Sequence, residues 1–177
     1  MSEPVRVRPD VAAPERPQLQ PLSDSAPPPM GWHKFRIYGM LWLEAALHLM
    51  QAWSLAGGRI YNAAQIRDAV YAGLPGMRAL DYGLAALLVC GAALQILARF
   101  RLAGCSTAGP RLLTAAYAAL LGGNLTYALA RLLYAGLSPL SLPLLGRSAV
   151  YLALLLIDRS YYRRRGFYFE TLKGVSS

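Results

Sequence analysis

Apolar residues along this chain fall in four long blocks, at about 37–57, 80–98, 112–135 and 137–157, rather than in the short periodic stripes of a soluble helical domain. Each block has close to the ~20 residues that let an α-helix cross a ~30 Å hydrocarbon layer. The first is introduced by Lys34 and Arg36 and closed by Gly57 and Gly58. The fourth is interrupted by Pro139, Pro143 and Arg147, which predicts a kinked or half-buried start and regular helix only from Ser148. The fold expected is therefore an all-α integral membrane protein, a four-transmembrane-helix bundle occupying residues 32–160.

The connecting stretches add detail. Between the first two blocks, Asn62-Ala-Ala-Gln65 has the spacing of a helix cap with a reciprocal partner. Ile60, Ala63, Ile66, Val70 and Leu74 then share one face, until Leu74-Pro75-Gly76 stops the helix. A short amphipathic helix lying on the membrane surface in the first external loop is expected. Residues 1–31 hold eight of the twelve prolines, and their acidic and basic side chains nearly cancel, which predicts a disordered Pro-rich cytoplasmic tail. Residues 161–177 form a basic and aromatic cytoplasmic tail whose Arg163, Arg164 and Arg165 suit the anionic cytoplasmic leaflet of a lipid bilayer.

Composition moves the chain out of the soluble class. It is 55% hydrophobic but only 15% charged, where a soluble domain carries about 25% charged residues. The net charge of +9 is not laid along one helical face with interleaved aromatics, so no nucleic-acid partner is expected. Instead, thirteen of the eighteen basic residues flank the blocks on one side: in the tail, in Arg99–Arg111 and after Asp158. Arg59, Arg67, Arg78, Arg131 and Arg147 lie on the other. That asymmetry predicts both termini in the cytoplasm and four crossings of a plasma membrane. The Ala, Leu, Gly and Arg bias suits a bacterial inner membrane. Cys90 and Cys105 form neither a vicinal pair nor a metal-ligand spacing, and no metal or cofactor is expected.

The first block carries the most informative polar residues. Glu44, His48 and Gln51 are spaced i, i+4 and i+7, so they project from one face near mid-membrane. Ionisable groups at that depth cost roughly 2.5–3.5 kcal/mol on insertion scales and normally face a bundle interior. Depth counting at ~1.5 Å per residue sets Gln95 level with Glu44, and Asn124 level with His48, completing a five-residue intramembrane polar cluster. Arg131 and Arg147 fall too far out to reach Glu44 and are expected to snorkel or to pair with Asp81 and Asp68. Asp158 is expected to be solvated at the inner boundary. In the third block, Ala118, Gly122, Thr126 and Ala130 form a small-residue stripe expected to let neighbouring helices approach.

Catalytic motifs such as Gly-x-Ser-x-Gly, His-Glu-x-x-His or a phosphate-cradling loop do not occur. The function expected is that of a small multi-pass inner-membrane protein, an accessory or interaction subunit working as a homo-oligomer or beside a partner membrane subunit. The alternatives are a small oligomeric transporter or proton-conducting channel using Glu44 and His48, and a cofactor-binding or lipid-modifying enzyme.

Overall fold

A computed structural model describes residues 30–135 and 141–165, and every secondary-structure element among them is helical. The helical body begins at Gly31. The expected tail over 1–31, apart from its last two residues, lies outside the described residues, as do Pro139 and the aromatics that follow Arg165.

The first long element is composite. Helix α1 (Gly31–Phe35) runs into a π-helical turn (Arg36–Met40) and then into α2 (Leu41–Ala56). A π turn widens the helix by one residue and leaves carbonyls poorly paired, a geometry common at functional sites. Here Arg99, just past the second block, donates from Nε to the Ile37 carbonyl at 3.3 Å. The consequence is that Arg36, on this turn, points into the bundle. It is completely buried, not part of a solvated basic flank as the sequence suggests.

Gly58, at φ +64°, makes the turn out of α2, and a 3-10 turn (Arg59–Tyr61) leads to α3 (Ala64–Gly73). The expected cap at Asn62 is not formed. Asn62 sits in the left-handed region at φ 58°, a conformation Asn tolerates, and Ala63 occupies the cap position without a side-chain bond. Of the predicted apolar face, Ile60, Ala63, Val70 and Leu74 are half-buried while Ile66 is 54% exposed, and the Tyr71 hydroxyl also ties α3 to the bundle.

Pro75, expected to stop α3, opens α4 (Pro75–Ala103), where the missing N–H of a first-turn proline costs nothing. Helices α5 (Ala108–Ala135) and α6 (Ser141–Arg163) complete the body. Helix α6 is regular from Ser141, seven residues before the expected Ser148. Pro143 is the third residue of its first turn, where the N–H has no intrahelical acceptor, so no kink results.

Helix α2 packs on α4, α4 on α5, and α5 on α6. Between α4 and α5, Gly123 makes room for Leu87, whose side chain an added Cβ would overlap. The expected stripe lies elsewhere, since Ala118, Gly122 and Thr126 are exposed and no atom lies within 4 Å of a Cβ built on Gly122. Two helices, α4 over its whole length and Ala108–Leu133 of α5, are long and apolar enough to cross a membrane. The bundle interior is apolar around Leu84, Leu88, Leu113 and Leu120, but its seam between α2 and α6 is closed by polar side chains.

Candidate functional site

The seam begins at Arg36. Its Nη1 donates to Glu44 Oε1 at 2.6 Å, and its Nη2 donates to Asp158 Oδ2 at 2.8 Å and to the Tyr117 hydroxyl. Tyr117 in turn donates to Glu44 Oε2. Trp32 Nε1 donates to Asp158 Oδ1 at 3.0 Å, and the Arg36 guanidinium lies 5.9 Å from the Trp32 ring centre and 5.5 Å from that of Tyr117. Asp158 is 3% exposed, so the expected solvated position is corrected: the π turn brings a cation to it that linear depth counting did not foresee.

From Glu44 the chain of contacts continues inward. Gln95 Nε2 donates to Glu44 Oε2 at 2.9 Å, while Gln95 Oε1 lies 2.9 Å from His48 Nδ1. Because the amide nitrogen is committed to a carboxylate, its oxygen faces His48 as an acceptor, which fixes Nδ1 as the protonated ring nitrogen. His48 Nε2 lies 2.7 Å from the Tyr151 hydroxyl, which also contacts the Asn124 side chain. Asn124 Nδ2 donates to the Leu120 carbonyl at 2.9 Å, and its Oδ1 has no partner among the described residues.

Of the five residues expected to cluster, the structure joins Glu44, Gln95 and His48 directly and Asn124 through Tyr151. Gln51 is left out of this network. Its Oε1 is buried without a partner, and its side chain faces a cavity of about 200 Å³ where all four long helices meet. Arg131 and Arg147 line the same cavity. At the other end Asp158, beside Arg159 and Tyr162, lines a cleft of about 640 Å³ between α5 and α6. The polar chain reaches the second cleft at Asp158, whereas none of its residues lines the first cavity.

Charge count sharpens its chemistry. Glu44 accepts from three donors and Asp158 from two, while one guanidinium serves both carboxylates. An uncompensated buried charge is expensive, so two carboxylates on one guanidinium lean on their neutral donors as well. With Nδ1 protonated, the His48 Nε2 lone pair accepts from the Tyr151 hydroxyl. A proton on Nε2 would turn the Tyr151 contact around, and the unpartnered Asn124 Oδ1 could accept the released tyrosyl O–H.

A second cluster sits on the cavity side. Asp81, 1% exposed, accepts from Tyr127 at 2.5 Å, Tyr61 at 2.7 Å and Tyr71 at 2.8 Å. The expected Arg131–Asp81 pair is not direct: Arg131 Nη1 reaches the Tyr127 hydroxyl at 3.4 Å, and Tyr127 reaches Asp81. Asp68 pairs with its neighbour Arg67 at 2.8 Å and not with Arg147. Burial first, then the Asp81 carboxylate, pushes the Tyr71 hydroxyl up to about 12. In the basic tail, Arg163 and Arg164 are exposed, and Arg165 stacks on Tyr161 with its guanidinium 3.9 Å from the ring centre.

Sequence reasoning missed Arg36, Tyr117, Tyr151 and the tyrosine cage of Asp81. Tyr117 lies seven residues before Asn124 and so shares its face of α5, but nothing in spacing alone tells that Arg36 turns inward. No protein-family model matches this chain, and no curated protein or solved structure matches it.

Proposed function

We propose that the chain is a four-span bacterial inner-membrane protein, with both termini cytoplasmic, that carries a proton within its bundle along the His48–Gln95–Glu44 line. The observation that carries this reading is the line of hydrogen bonds from Glu44 through Gln95 and His48 to Tyr151, with the donor-only Arg36 guanidinium holding both Glu44 and Asp158. A proton entering at His48 leaves Nδ1 for Gln95 Oε1 as the amide passes its own Nε2 proton to Glu44. The imidic acid left behind rotates about Cγ–Cδ to turn its O–H to Glu44 and its imine nitrogen to His48, so that a second proton from His48 restores the amide as the O–H proton passes on, and a second rotation returns it to its starting orientation.

Four spans are supported by the outward faces of all four long elements. Leu43 and Met50 on α2, Val89 on α4, Leu129 and Leu133 on α5, and Val150 and Leu156 on α6 are exposed. Such a surface is stable only against lipid or another apolar partner. The basic bias that sets orientation survives the burial of Arg36, because the opposite side loses Arg131 to burial as well. Arg163 and Arg164 then lie where an anionic leaflet would meet them.

The test is proton flux into proteoliposomes under a valinomycin-clamped potassium gradient, read with an internal pH dye. Wild-type protein should conduct above empty vesicles, and Glu44→Gln should not. Equal rates for the two would remove the proposal. A second reading, docking to a partner membrane subunit or a second copy, draws on the exposed Ala118, Gly122 and Thr126 stripe, whose small side chains admit a neighbouring helix. Native mass spectrometry from mild detergent that finds only bare monomer would exclude it.

A further inference from the structure

The cavity at the Arg131 end is built for an anion. Two guanidinium groups line it and no carboxylate does, although its remaining wall is largely leucine, isoleucine and proline. Arg131 is 8% exposed, and its Nε has no hydrogen-bond partner among the described residues. Its charge is held in place by ring faces, with the guanidinium 5.7 Å from the centres of both Tyr61 and Tyr127. The nearest buried carboxylate cannot neutralise it directly. Asp81 has its oxygens occupied by Tyr61, Tyr71 and Tyr127, so the tyrosine cage keeps Asp81 and Arg131 apart.

Arg147, on α6, lines the same cavity and makes no hydrogen bond or ion pair among the described residues. Gln51, with its buried Oε1 unpartnered, and Ser54 add neutral polar groups to the lining. A buried cation without a counter-ion is costly, and the cost is relieved by an anion that brings its own apolar body into the same space. Two arginines present planar forks that match a carboxylate.

We infer that this cavity binds a monocarboxylate, with the carboxylate between Arg131 and Arg147 and an apolar chain or ring against Leu55, Leu84 and Leu144. At about 200 Å³ it accommodates a small organic acid or the head of a fatty acid. The inference goes beyond proton movement and does not require it, because binding is an equilibrium property measurable without any gradient.

The experiment is isothermal titration of the full chain in zwitterionic nanodiscs at neutral pH, using benzoate, its neutral counterpart benzyl alcohol, and inorganic phosphate. Saturable benzoate binding is expected, with benzyl alcohol and phosphate each at least tenfold weaker. Arg147→Gln, which breaks no bond among the described residues, should weaken benzoate at least tenfold. Arg131→Lys, which keeps a charge but loses the fork, should weaken it less. A palmitate arm separates the two sources of the same chemistry: competition with benzoate places a fatty acid in the cavity, and no competition confines it to small acids. Absence of saturable benzoate binding, equal affinity for benzyl alcohol, or undiminished affinity in Arg147→Gln overturns the inference. Any of these would leave the flux assay unaffected, so the two claims fail separately.

Discussion

Arg36 and Asp158 stand 122 residues apart in the chain and meet at 2.8 Å inside the bundle. With the second carboxylate, Glu44, on the same guanidinium, this contact fastens α6 to the start of the first long element along a seam where the two backbones do not pack closely. A fully buried arginine left without its anions is among the costliest defects a fold can carry.

Removing one partner should therefore be severe and removing both less so. Asp158→Asn should lower stability by about 3 kcal/mol, at the low end of the ~3–5 kcal/mol typical of a broken buried pair, because Glu44 still holds the guanidinium. Arg36→Met leaves two facing carboxylates and should cost more. The double variant should cost less than the sum of the two single ones, as contacting residues do. Reversible unfolding in mixed micelles, followed by circular dichroism, measures all three, and strict additivity would disprove the shared seam.

Close helix approach gives an independent check of the packing. A Cβ at Gly109 would lie 2.9 Å from the Leu102 backbone nitrogen, which cannot swing aside, so Gly109→Ala should cost about 1–3 kcal/mol. At Gly122 the same change meets open space, and the better helix propensity of alanine should leave stability unchanged or raised by up to ~1 kcal/mol. The two melting temperatures should shift in different directions. Equal losses would mean that the α4–α5 crossing is wrongly drawn.

The docking of α3 should show in alkali. Tyr71 is held protonated in the fold, with its hydroxyl pushed up to about 12 by burial and by Asp81, against about 10 in an unfolded chain. A raised value means that the unfolded chain loses the proton first. The stabilisation is thus complete below pH ~10 and disappears as pH rises through about 12. Between pH 9 and 12, wild type should lose melting temperature more steeply than Tyr71→Phe. Parallel slopes would show that the Asp81 contact contributes nothing.

Much of the scaffold was legible because lipid-length apolar blocks and breaker residues are local signals. The four blocks recur as the long helical elements, with their ends shifted. Pro75, read as a stop, does follow the end of α3 at Gly73 and also opens α4; Pro143 was read as a kink and sits harmlessly in a first turn. The site was half legible. Glu44 and His48 share a face by helix periodicity, and depth alone brought Gln95 to Glu44. Arg36 was hidden because a π turn, which no residue pattern marks, rotates it from the expected solvated flank into the core. Asn62 misled for a related reason, since the residue type that caps helices also occupies left-handed turns, and here it takes the turn.

The central claim is that Glu44 and His48 work as one hydrogen-bonded unit, and Gln95 is the only described side chain bonded to both. Gln95→Leu keeps both titratable groups and removes the link between them. Proton flux in proteoliposomes of this variant, checked for wild-type helicity and a monodisperse elution profile, tests the claim most directly. The expected result is a fall to the level of empty vesicles; flux at the wild-type rate would contradict it.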